Sequence, residues 1–83
     1  MRIPRDVSGD QLARLLARFG YAVTRQTGSH MRLTTSQGGE HHVTVPEHET
    51  LRIGTLSGIL SDVASHLAMS RAELVAGLFG EDR

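Results

Sequence analysis

Two hydrophobic periods organise this chain. Leu12, Leu15, Leu16 and Phe19 recur at spacings of three, one and three, which makes one apolar stripe on a helix. Arg14 and Arg18, one turn apart, fall on its solvated side. Ser8 and Gln11 have the spacing of a capping box, and Gly20 supplies a left-handed stop, so the pattern predicts a helix over about 9–19. From residue 21 the period drops to two. Tyr21 and Val23 alternate with Ala22 and Thr24, and Met31 and Leu33 alternate with His30, Arg32 and Thr34. Val43 and Val45 alternate with His42 and Thr44 before Pro46, which cannot donate to a strand ladder. Thr27-Gly28 and Ser36-Gln37-Gly38-Gly39 read as the turns between these three runs.

The helical period returns after a loop over 47–53. Leu56, Ile59, Leu60, Val63 and Leu67 predict a second helix over about 56–67, with Thr55 as its N-cap. Ser70 and Glu73 repeat the capping-box spacing and open a short third helix carrying Leu74, Val75, Leu78 and Phe79. Gly80 follows it, then a charged tail, Glu81-Asp82-Arg83. Residues 1–7, with Pro4 and Asp6, read as an irregular lead-in.

This order makes an α+β fold of double-stranded-RNA-binding-domain type. It is α-β-β-β-α, with a three-stranded antiparallel sheet, helices on one face and a short extra C-terminal helix. Val23, Met31, Leu33, Val43 and Val45 share the covered face. Thr24, His30, Arg32, Thr34, His42 and Thr44 share the open one. By the same alternation Arg25 has the parity of Val23 and points away from His30.

Composition narrows the class. Eighty-three residues make one domain, 1–83, that buries about 60–65% of its unfolded surface. There is no cysteine, hence no disulfide framework or thiolate zinc site. Nine arginines balance nine acidic residues and there is no lysine, so strong non-specific attraction to nucleic acid is disfavoured. No apolar run approaches a membrane span and no signal peptide is visible, which leads to an expectation of a soluble cytoplasmic protein.

The densest chemistry lies at Gly28-Ser29-His30 with Arg32 two residues on. By pattern alone His30 is a surface histidine at a strand start, Ser29 a turn residue and Gly28 a turn glycine. His41, His42 and His48 lie beside Glu40, Glu47 and Glu49, but adjacent strand residues point to opposite faces. Solvated polar residues are therefore the better reading than metal ligands. Gly54-Thr55 reads as a helix start and not as a phosphate cradle.

Taken together, Arg25-Gln26-Thr27-Gly28-Ser29-His30, Val43-Thr44-Val45-Pro46-Glu47-His48, Gly54-Thr55-Leu56 and Ile59-Leu60 resemble the HicA (YcfA-like) toxins of bacterial toxin–antitoxin systems. The resemblance implies an mRNA interferase of type II systems, an endoribonuclease needing no cofactor or metal. Its catalytic histidine corresponds to His30. Gly28, Ser29 and Arg32 would contact the RNA. A HicB-like antitoxin would cover the His30 face, and any DNA contact would come only through that complex. A non-catalytic RNA-binding module on the same fold is the alternative. The segment 54–62 lacks the basic cluster such a module uses on duplex phosphates.

Overall fold

The computed structural model describes residues 3–80. Helix α1 (Gly9–Leu16) tightens into a 3₁₀ turn (Ala17–Phe19), followed by strands β1 (Ala22–Thr27), β2 (His30–Thr35) and β3 (His41–Pro46) and helices α2 (Ile53–His66) and α3 (Arg71–Phe79). Both capping boxes form. Ser8 Oγ accepts the Gln11 N–H at 3.3 Å, and Gln11 Oε1 accepts the Ser8 N–H at 3.1 Å. Ser70 and Glu73 make the same reciprocal pair at the start of α3. Gly20, at φ 85°, turns the chain into the sheet.

The sheet order is β1-β2-β3, all antiparallel. Met31 and Leu33 from β2 and Val43 and Val45 from β3 are buried beneath the helices. Above them lie Leu12 and Leu16 of α1, Leu56, Leu60, Val63 and Ala64 of α2, and Leu74, Val75 and Leu78 of α3. Val7 and Leu51 join this core, tied by a Leu51 N–H to Val7 carbonyl bond of 2.8 Å. Thr35 is the buried polar exception. Its hydroxyl donates to the Phe19 carbonyl and accepts the Gln37 N–H, so burial leaves no group unpaired.

Several local expectations are corrected. Val23 lies opposite Leu33 on the helix side, yet it is 48% exposed because it sits on the edge strand beyond the helices' cover. The first hairpin turns on Gly28-Ser29, one residue later than Thr27-Gly28, with Thr27 paired to His30. Helix α2 starts at Ile53. Its N-cap is Arg52, whose side chain makes no capping bond, and Thr55 lies inside the first turn. Arg18 is not merely solvated. Its guanidinium donates to the Gly77 and Leu78 carbonyls at 2.9 and 3.3 Å, capping the C-terminal end of α3. The charged tail 81–83 lies outside the described residues. Among the described residues no helix is long and apolar enough to cross a membrane.

Candidate functional site

His30 opens β2 on the helix-free face, and its side chain is exposed. The turn before it has φ +59° at Gly28 and no positive φ at Ser29, the pattern of a II′ hairpin turn. The tip is anchored from one side. The Glu47 N–H donates to the Ser29 carbonyl at 2.7 Å, and the Glu47 carbonyl accepts the Asp10 N–H at 2.9 Å. The Glu47 carboxylate takes the Gln26 side-chain amide and faces Nε2 of His48 at 3.2 Å. His48 itself remains largely exposed.

Along β2, His30, Arg32 and Thr34 alternate onto the open face, about 7 Å per step. Thr44 and His42 pair with Arg32 and Thr34 from β3. On the other side β1 carries a bulge between Val23 and Arg25, and this changes the parity expected for Arg25. The extra residue brings Arg25 directly opposite Arg32, so the two guanidiniums share the open face. With Thr24, Thr34, Glu40 and His42 they line a shallow cleft of about 350 Å³.

His42 is not a free solvated residue. Its Nε2 faces the Glu40 carboxylate at 3.0 Å. Nδ1 lies 2.7 Å from the Thr34 hydroxyl, and Thr34 Oγ1 lies 2.8 Å from Thr24 Oγ1. His41 repeats this arrangement on the helix side. Its Nε2 lies 3.2 Å from Asp62 Oδ1 and its Nδ1 lies 2.8 Å from the Tyr21 hydroxyl. The ring of His66 stacks on that of His41, centroids 4.3 Å apart. The His66 Nε2–H is shared by the Gln37 and Gly39 carbonyls. The two adjacent histidines therefore point to opposite faces, as strand alternation requires. Among the described residues no group of three or more His, Asp or Glu is placed to hold a metal ion.

The structure thus brings His30, Arg32 and the Gly28-Ser29 turn to one end of an open polar face. Thr24, Thr34 and His42 lie on that face as alternation predicts; Arg25 and the hydrogen-bonded link from Glu40 through His42 to Thr34 are what sequence reasoning missed. No signal in the linear pattern marks them, because a bulge and a cross-strand partner exist only once the register is set.

No curated protein and no solved structure matches the chain. One family model does, that of the HicA toxin of bacterial toxin–antitoxin systems, over residues 9–64. That span runs from the first residue of α1 through the three strands to near the end of α2, and so takes in the whole open face. The chain belongs to the HicA toxin family.

Proposed function

We propose that this toxin is an endoribonuclease that cleaves mRNA, with His30 as the proton-transferring group and a HicB-like antitoxin as its inhibitor. The observation carrying this reading is the exposed imidazole at the start of β2, beside a glycine–serine turn and one strand step from an arginine, on the face without helices.

RNA brings its own nucleophile, the 2′-hydroxyl. Attack on the adjacent phosphorus requires removal of that proton, and departure of the 5′-oxygen requires one to be supplied. Imidazole suits either task because its ordinary pKa, about 6.5, lies near working pH. Gly28 lets a phosphate approach the backbone, Ser29 offers a hydroxyl, and Arg32 offers positive charge and a planar donor fork to the RNA backbone. The 2′-oxygen–phosphorus bond forms as the phosphorus–5′-oxygen bond breaks. The products are a 2′,3′-cyclic phosphate and a 5′-hydroxyl, and the scheme uses no metal. An antitoxin covering the open face would exclude RNA and shield His30 together.

His30→Ala tests the reading. The side chain is exposed, so the variant keeps its fold and melting temperature. It loses RNA cleavage and growth inhibition. Cleavage at the wild-type rate by purified His30→Ala refutes the assignment. Antitoxin binding should protect His30 of the wild-type protein from diethyl pyrocarbonate, and unchanged modification counts against direct occlusion.

A further inference from the structure

We infer that Arg25 and Arg32 form a second anion site, a fork that holds a backbone phosphate of single-stranded RNA flanking the bond at His30. The inference rests on the reading of the open face as an RNA surface. It adds a subsite that the sequence pattern assigned away from it.

Arg25 and Arg32 are direct cross-strand partners, and like charges so placed destabilise a sheet. No carboxylate offsets them: the ion pairs among the described residues are His41–Asp62, His42–Glu40 and His48–Glu47. Glu40 does line the same cleft, but His42 engages its carboxylate. The bulge creates the juxtaposition. With plain alternation Arg25 would lie on the helix side, and the open face would hold one arginine there. Bulges commonly re-aim a side chain beside a functional site. An anion between the guanidiniums turns their repulsion into two charge-assisted hydrogen bonds.

The rest of the lining points to the kind of anion. Thr24 and Thr34 contribute hydroxyls and His42 an imidazole, and no aliphatic, Phe, Tyr or Trp side chain lines the cleft. A protein partner's binding centre is ordinarily an apolar or aromatic anchor in a pocket. Arginine forks with threonine hydroxyls are what phosphate oxygens select. The fork lies one strand step, about 7 Å, from His30 on the same face, so a strand seated at His30 runs over it. His42 is held by Glu40 on one side and Thr34 on the other, which fixes the wall of the cleft beside the fork.

The test separates this site from the chemistry at His30 by measuring binding alone. In a His30→Ala background, a mixed-sequence 2′-O-methyl RNA 12-mer is titrated by fluorescence anisotropy at several salt concentrations. Adding Arg25→Ala weakens binding about tenfold and lowers the slope of log K against log salt by about 0.7, the share of one phosphate contact on a single strand. Arg25→Lys keeps the slope, because it keeps the charge. Arg25 is exposed on an edge strand and Arg25→Ala removes its repulsion with Arg32, so the melting temperature holds or rises slightly while RNA binding falls. Unchanged affinity and slope in Arg25→Ala overturn the proposal. So does loss of antitoxin binding with RNA binding intact, which makes the fork a protein contact. Wild-type cleavage by His30→Ala would sink the catalytic assignment instead, while the anisotropy result would still stand or fall on Arg25.

Discussion

The Tyr21 hydroxyl lies 2.8 Å from Nδ1 of His41, and Nε2 of the same ring lies 3.2 Å from Asp62 Oδ1. Tyr21 is buried just before β1, and a phenolate there would be poorly hydrated and close to an aspartate. Burial first, and the charge of Asp62 second, push its pKa up to about 12.

The consequence is an alkaline limit to stability. The unfolded tyrosine ionises near pH 10, whereas the folded one keeps its proton to about 12. Stability from this group is therefore complete below pH 10 and is lost as pH rises toward 12. The window is unusually clear of other titrations, since the chain has one tyrosine, no lysine and no cysteine. Absorbance at 295 nm should place the folded-state midpoint near 12. The urea midpoint should fall between pH 10 and 12 in the wild type and stay flatter in Tyr21→Phe.

Helix α2 is badly capped at both ends, and both ends can be improved. Arg52 occupies an extended N-cap position and contributes no side-chain acceptor. Arg52→Ser should supply that acceptor and stabilise by about 1 kcal/mol. At the other end Ala68 sits at φ 57°, with its N–H bonded to the Ser65 carbonyl and the Met69 N–H bonded to the Ala64 carbonyl. That is a Schellman cap with alanine where glycine is preferred. Ala68→Gly should relieve the left-handed strain, also worth about 1 kcal/mol. The sites lie at opposite ends of a 14-residue helix, so chemical denaturation of the double variant should show the sum.

Two glycine-to-alanine changes should act in opposite directions. Gly9 opens α1 against the chain after β3, and a Cβ there would run into the backbone carbonyl of Pro46. Backbone cannot swing aside as a side chain can, so Gly9→Ala should cost about 3 kcal/mol, a large part of a small domain's stability. Gly58 lies within α2 with nothing inside 4 Å of the built Cβ. Gly58→Ala should gain about 0.5–1 kcal/mol from helix propensity. Urea unfolding of the two variants against wild type measures both.

Local chemistry was legible in the sequence where it is contained within a few residues. Ser8 with Gln11 and Ser70 with Glu73 announced their helices because each cap closes over three positions. The buried stripes of α1 and α2 and the alternation of β2 and β3 were equally direct. The end of α2 was less so, because Ala68 does the work usually signalled by glycine. Plain alternation puts Arg25 on the wrong face because it assumes an unbroken ladder, and the bulge is visible only against the register of β2. His42 with Thr34 and His66 with the Gln37 carbonyl are partners separated by a strand or more of sequence. No local pattern encodes such a pairing.

Residue 47 belongs mechanically to two places at once. Its amide grips the hairpin tip, and its carbonyl grips the start of α1. Breathing of the Gly28-Ser29 tip therefore cannot stay at the tip. The backbone amides of Glu47 and Asp10 should exchange with deuterium together, at one rate, making the poise of His30 a property of the first helix as much as of the loop that carries it.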